Sequence, residues 1–251
     1  KLNWQSIQMH DKVLPHIISP AKVLRGENSW DIGKRLITSI SKKPLIVGRS
    51  KSTLTLRNFI LKELINLQIK PISAEIKYDC CEYDLTRLQK IALANNCDGV
   101  ITSGGGKVLD TGKLVAERLN VPCITIPLSA STCAGWTALS NIYSKDGAFE
   151  QDKELSSCPR LLIFDHNFIR QAPIKTLSSG IADALAKWYE SSVSSSSSND
   201  VLVQQAVQMA RVLRDQLLID GQLAFKDENS DAWERVAEGC ALTAGLIGGI
   251  G

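Results

Sequence analysis

The sequence predicts an α/β protein in two parts: a parallel sheet covered by helices over residues 1–165, then an all-helical part over residues 166–251. Two patterns predict it. Between Pro44 and Pro127, short apolar runs alternate with segments of helical periodicity across short joints, which is how a parallel sheet with helices on its faces reads. After Asp165 the strand signal stops, and each later segment repeats its apolar residues at helical spacing.

The elements follow in order. PLIVG (44–48) is a short apolar run and reads as a buried strand. TLTLRNFILKELINL (53–67) places Leu56, Phe59, Ile60 and Leu64 on one helical face. ISAEI (72–76) alternates as a strand does, and Asp84 is placed to cap a helix carrying Leu85, Leu88, Ile91 and Ala92. DGVIT (98–102) is a strand, KVLDTGKLVAERLN (107–120) a helix, CITIP (123–127) and LLIFD (161–165) further strands. ADALAKWYESS, VLVQQAVQMARVLRDQLLIDG and DAWERVAEGCALTAGLIGG then read as helices, with the serine run 194–198 as a connection between two of them.

The 251 residues are 44% hydrophobic and 22% charged, ordinary for a globular protein, and a net charge of +3 gives no argument for nucleic acid or membrane as partner. No apolar run reaches the roughly 18 residues that span a bilayer. The seven cysteines are odd in number and form no CxxC pair, so reduced thiols and a cytoplasmic location are expected.

The most informative stretch is ITSGGGKVLDTGKLVA. A strand ends at Ser103, Gly104 to Gly106 follow, and a helix starts near Lys107. Glycine lets a phosphate approach the backbone, and the free N–H groups of a helix start favour its negative charge. Lys107 would add a point charge, and Asp110 is placed to accept backbone N–H bonds from the loop. The stretch matches neither GxGxxG nor the GK[ST] ending of a P-loop, since Val108 follows Lys107. A plain strand-to-helix turn is the alternative; the functional reading is a diphosphate cradle of another design.

GGGKVLDTGK, VPCITIPLSASTCAGWTALSNIYSKDGAF and LLIFDHNFIRQAPIKTLSSGIADALAKWYES, in that order and spacing, resemble the glycerol dehydrogenase branch of the iron-containing alcohol dehydrogenases. ISPAKVLRGENS (18–29) is similar to that family's opening strand region. The resemblance implies a dehydroquinate synthase-like architecture, with NAD(P) and a divalent metal, zinc or iron, in a cleft between the two parts. It implies that Gly105, Gly106 and Lys107 hold the diphosphate and that Ser131, Thr137, Leu139 and Tyr143 line the nicotinamide end. Asp183 matches the metal-binding aspartate and is the expected catalytic residue. The implied partners are a small alcohol or ketone substrate and further copies of the chain in a homo-oligomer.

The sequence departs from that pattern in three places. The family's two metal-binding histidines follow a small-residue helix, here GCALTAGLIGGIG, where the sequence ends; the helical domain is therefore expected to be incomplete at its C-terminus. Among the histidines present, His10, His16 and His166 lie in no matching motif and read as surface or loop residues. Cys133 stands at the substrate position where glycerol dehydrogenases carry an aspartate, and a thiol is the weaker hydrogen-bond partner. Arg49, in PLIVGRSKS, stands where NAD-binding members have an aspartate, so a preference for NADP is expected. Beside the dehydrogenase reading stand a sugar-phosphate enzyme of the glycerol-1-phosphate dehydrogenase or dehydroquinate synthase kind, and a catalytically degenerate nucleotide-binding protein.

Overall fold

The computed structural model describes residues 16–195 and 198–250. Its first part is a six-stranded parallel sheet of β1 (Val23–Gly26), β2 (Pro44–Gly48), β3 (Ile72–Glu75), β4 (Gly99–Gly104), β5 (Cys123–Pro127) and β8 (Leu161–Asp165), in the order β1-β8-β5-β4-β2-β3. Helices α1 (Ser29–Ile40), α2 (Leu54–Asn66), α3 (Glu82–Ala94) and α4 (Gly106–Leu119) connect the strands. Strands β2, β4 and β8 are buried along their whole length, which is why they read as unbroken apolar runs. One face packs Ile46, Ile101, Ile124 and Ile163 against Ile37, Ile60 and Leu64; the other packs Leu45, Val47 and Val100 against Leu85, Leu88, Leu114 and Val115.

Three local expectations are corrected. The cap of helix α3 lies three residues before the one expected: Cys81 is its cap, and Asp84 is its third residue. The Asp84 carboxylate instead accepts from the backbone N–H of Lys77 (3.0 Å) and Tyr78 (2.7 Å) and from Arg87, closing the loop ahead of the helix. Burial would raise that carboxyl, but these donors outweigh it and hold Asp84 below the usual range. Asp110 turns away from the glycine loop and pairs with the buried ammonium of Lys113 at 3.2 Å. Finally, an antiparallel hairpin, β6 (Leu139–Tyr143) and β7 (Phe149–Glu154), precedes β8. Strand β7 is exposed throughout, so it carries no apolar alternation by which a sequence reading would find it.

Beyond β8 the described elements are all helical: α5 (His166–Ile169), α6 (Lys175–Ser194), α7 (Val201–Lys226), α8 (Asp231–Glu238), a π-turn at Gly239–Thr243, and α9 (Ala244–Gly248). Asp200 caps α7 through the N–H groups of Leu202 and Val203, and Ser230 caps α8 through that of Trp233. One apolar cluster joins Leu162 and Phe164 of β8 to Leu177, Leu213, Leu217, Trp233 and Val236, so the helices pack on the sheet through β8. Ser194 ends α6, and residues 196–197 of the serine run lie outside the described residues, as does His10.

His166 is no surface residue. It is 2% exposed, between Phe164 and Trp233, with Nε2 3.0 Å from Glu238 Oε1 and Nδ1 3.4 Å from Glu234 Oε1. Arg25 grips Glu238, and Arg170 pairs with Glu234 (3.1 Å) and Glu27 (2.5 Å). Burial would lower the imidazole's pKa, but Glu238 and Glu234 outweigh it and raise it above 6.5. Glu238 is held below the ordinary 4.5 because His166 and Arg25 outweigh its own burial. The histidine therefore stabilises the fold fully below its unfolded pKa, and that contribution is lost as pH rises through the raised folded value. The Glu238 contribution is present above its unfolded pKa and is lost as pH falls through the depressed one. We expect the advantage of the native protein over His166→Gln in urea unfolding to be larger at about pH 6 than at about pH 8. An advantage that does not change across that range would refute the charged pair.

Candidate functional site

The chain runs from β2 outward to β3, then crosses back over β2 to β4 and on to β5. The connections after β2 and β4 thus leave in opposite directions, and the crevice at their carboxyl ends is where open α/β sheets bind ligands. Gly48 and Arg49 stand on one side of it and Gly104 to Lys107 on the other. Gly105 occupies the cap position of α4 in extended conformation (φ −87°, ψ −176°), with no side chain bonded to the first N–H groups. The loop is fixed from behind: Leu128 N–H donates to the Gly104 carbonyl (3.0 Å), and Thr102 Oγ1 donates to that of Val108 (2.6 Å). Gly106 is pressed by its neighbour, since a Cβ there would lie 2.9 Å from Thr132 Cγ2.

The charges around this loop centre on Asp79, which the sequence reading missed. It sits in the connection between β3 and α3, nearly buried, with Oδ1 accepting from Cys80 N–H at 2.8 Å. Its Oδ2 binds Lys107 and lies 3.9 Å from Arg49 Nη1. Lys107 also stands over the Tyr143 ring, 4.7 Å from its centroid. Arg49 and Lys107 are therefore gathered round one carboxylate that comes from a segment with no motif of its own, and Tyr143 lies against Lys107. Arg57, buried under the loop after β2, shapes that loop by donating to the Ser50 carbonyl (3.0 Å) and to Thr53 Oγ1 (3.2 Å).

Ser131 and Cys133 lie on the loop after β5, where Ser131 Oγ is 3.0 Å from Ser129 Oγ. Thr137 is on the approach to β6, and Leu139 is the first residue of that strand. Their carbonyls accept from Lys113, at 3.1 Å for Thr137, so the buried ammonium ties this approach to α4. The helix α6 reaches the β5 loop through Gly180: a Cβ there would overlap the Ala130 carbonyl oxygen and lie 3.1 Å from Cys240 Cβ. On that face of α6, one and two turns further on, are Asp183 and Lys187. Asp183 Oδ2 is buried with no hydrogen-bond partner. Lys187 is half-buried there. Burial, with Lys187 and Asp183 nearby, leaves the Cys133 thiol raised, and burial beside Asp183 and Cys133 pushes Cys240 up to about 12.

Residues 20–166, well over half of the chain, match the family model for iron-containing alcohol dehydrogenases. The chain belongs to that family. An uncharacterized oxidoreductase of Synechocystis is 46% identical over 173 residues, 69% of this chain and 45% of the relative. A glycerol dehydrogenase of Pseudomonas putida is 32% identical over 245 residues, 92% of this chain and 66% of the relative. The crystal structure of a probable glycerol dehydrogenase from Sinorhizobium meliloti superimposes with a TM-score of 0.83 at 23% identity, over 94% of this chain and 67% of that one, a likeness of fold. This chain thus spans about half to two thirds of the length of those relatives.

The family implies a nicotinamide cofactor and a divalent metal. Asp183 fits the metal: a buried carboxylate oxygen without a donor is costly unless a cation takes it. It stands as a single candidate ligand: among the described residues no three of His, Cys, Asp and Glu gather as a metal site. His166 is engaged by glutamates elsewhere. No helix among the described residues is long and apolar enough to cross a membrane.

Proposed function

We propose that this protein is an NAD(P)-dependent alcohol dehydrogenase of the glycerol dehydrogenase type, acting on a small alcohol or polyol and the corresponding carbonyl. The observation that carries the reading is the juxtaposition of two features. An uncapped glycine helix start lies at the topological switch of the sheet, and the helix that bears the unpartnered Asp183 packs on the adjoining β5 loop. In this reading Gly105 and Gly106 admit the diphosphate to the N–H groups of α4. Lys107, held by Asp79, adds charge beside it. Ser131, Thr137, Leu139 and Tyr143 flank the nicotinamide end, and Cys133 faces the substrate. A divalent metal, zinc or iron, when bound at Asp183, lowers the pKa of the alcohol hydroxyl or polarises the carbonyl. A boundary at residues 165–166 separates nucleotide and helical domains, the free thiols agree with a cytoplasmic setting, and the working form is a homo-oligomer.

The finer proposal is a preference for NADP. Arg49 lies 3.9 Å from Asp79, beyond hydrogen-bond length, and its side chain is 39% exposed, so it is free to meet a ribose phosphate. Titration with NADH and NADPH should show NADPH binding about tenfold tighter, with Arg49→Asp abolishing the difference. In a folded Gly106→Val protein both should weaken by at least about tenfold, because the side chain fills the space between α4 and Thr132. Unchanged affinity in Gly106→Val would overturn the cradle; equal or tighter NADH binding by the native protein would overturn the NADP preference alone.

A further inference from the structure

The β6–β7 hairpin follows β5 in the chain but reaches the connection out of β3, the edge strand three places from β5 in the sheet. There Tyr143 N–H, at the end of β6, donates to the Cys80 carbonyl at 2.8 Å. The hairpin turn is tight: Gly147 N–H donates to the Ser144 carbonyl (3.1 Å) and Ser144 N–H to that of Ala148 (2.8 Å), with Gly147 at φ +86°. Its bare backbone lies over Asp79 and Lys107, since a Cβ on Gly147 would stand 3.7 Å from Asp79 Oδ2 and 4.0 Å from Lys107 Nζ. The Lys107 ammonium is thus enclosed on three sides, by the Asp79 carboxylate, by the Tyr143 ring 4.7 Å away and by Gly147. On the outer side of the turn, exposed Lys145 stands 4.4 Å from the Tyr83 ring centroid and 5.5 Å from that of Tyr78, and the two rings meet edge to face at 5.2 Å. The hairpin is therefore fastened at its tip to the same segment that supplies Asp79. A lysine that swings freely loses rotamer freedom when a ligand fixes it; one already enclosed loses less, and the difference appears as affinity.

We infer that the β6–β7 hairpin positions Lys107 for nucleotide binding, and that Lys145, latched on Tyr83 and Tyr78, is a positioning residue that keeps the hairpin closed on it. The inference rests on the reading of Gly105 to Lys107 as a diphosphate cradle. Asp79 is held in place by the Cys80 N–H on Oδ1 at 2.8 Å, so it is a fixed anchor. Tyr143 and Gly147 then decide where the ammonium rests beside that anchor. An ammonium carries three donors, so with Asp79 engaged it still has donors for an anion at the start of α4. Lys145 and Tyr83 act through Lys107 and touch neither cofactor nor substrate.

The test is a fluorescence titration with NADH, which lacks the ribose phosphate that Arg49 would meet. Lys145→Met and Tyr83→Leu should each weaken NADH binding about two- to fivefold. Lys145→Arg keeps a cation over the rings and should bind as the native protein does. Lys107→Met should weaken binding by at least about tenfold, and adding Lys145→Met or Tyr83→Leu to it should change nothing further. A general loosening of the fold would not give that non-additivity. If Lys145→Met weakens binding while Tyr83→Leu does not, the bare charge of Lys145 acts on the nucleotide and the latch is overturned. Native affinity in both variants overturns it too, as do losses that persist in full beside Lys107→Met. Each of these results leaves the cradle standing. Unchanged affinity in Lys107→Met, or a native protein that binds no NADH, would overturn the cradle and this inference together.

Discussion

Gly180→Val should destabilise the fold by more than ~2 kcal/mol in urea unfolding, and even Gly180→Ala should be clearly destabilising. Alanine in a helix interior ordinarily gains up to about 1 kcal/mol over glycine, so propensity alone predicts the opposite sign. The contact decides against it. The added Cβ overlaps the Ala130 carbonyl oxygen and stands 3.0 Å from its carbon, and backbone on a buried loop cannot swing aside as the end of a side chain can. Cys240 Cβ, at 3.1 Å, blocks retreat on the other side. Relief requires α6 to move off the loop that carries Ser131 to Cys133, so nucleotide affinity should fall with stability. A Gly180→Ala protein within ~0.5 kcal/mol of the native one would show that this helix is not held where we find it.

Asp183→Asn should lower alcohol oxidation by at least about a hundredfold while leaving the metal-free protein as stable as before or more so. The two signs have one cause. An ionised carboxylate whose Oδ2 is buried without a donor costs about 1–3 kcal/mol in the absence of a cation, and the amide removes that charge. What is given up is an unpaired Coulomb attraction to Lys187, worth about 0.3–0.5 kcal/mol for a pair one turn apart. Metal content, turnover and melting in chelator, measured on both proteins, separate the effects. Native turnover in Asp183→Asn would remove Asp183 from the metal site, and marked destabilisation would mean that its oxygen has a partner after all.

How much of this was legible depended on whether a residue's role is local. PLIVG, DGVIT, CITIP and LLIFD were readable because strands buried on both faces must be continuous apolar runs. The glycine loop was readable because strand, glycines and helix are consecutive. Asp79 was not, because its meaning comes from Lys107 and Arg49, neither of them near it in sequence. Asp84 was misplaced by three residues because an acid in the first turn of a helix reads like a cap. His166 was misread because the glutamates that justify burying it lie more than 60 residues away on α8. The hairpin of β6 and β7 left no trace because its outer strand is exposed throughout and carries no apolar alternation.

The cysteines bear on how the protein meets oxidants and electrophiles. Burial pushes the Cys80 and Cys240 thiols up to about 12. At neutral pH only about one such thiol in 100,000 is ionised, and the thiolate is the form that attacks peroxides, disulfides and alkylating agents. Cysteine-rich as it is, the folded chain is thus chemically quiet at these positions. Modification at these two buried thiols would then report loss of the fold rather than a reactive site within it.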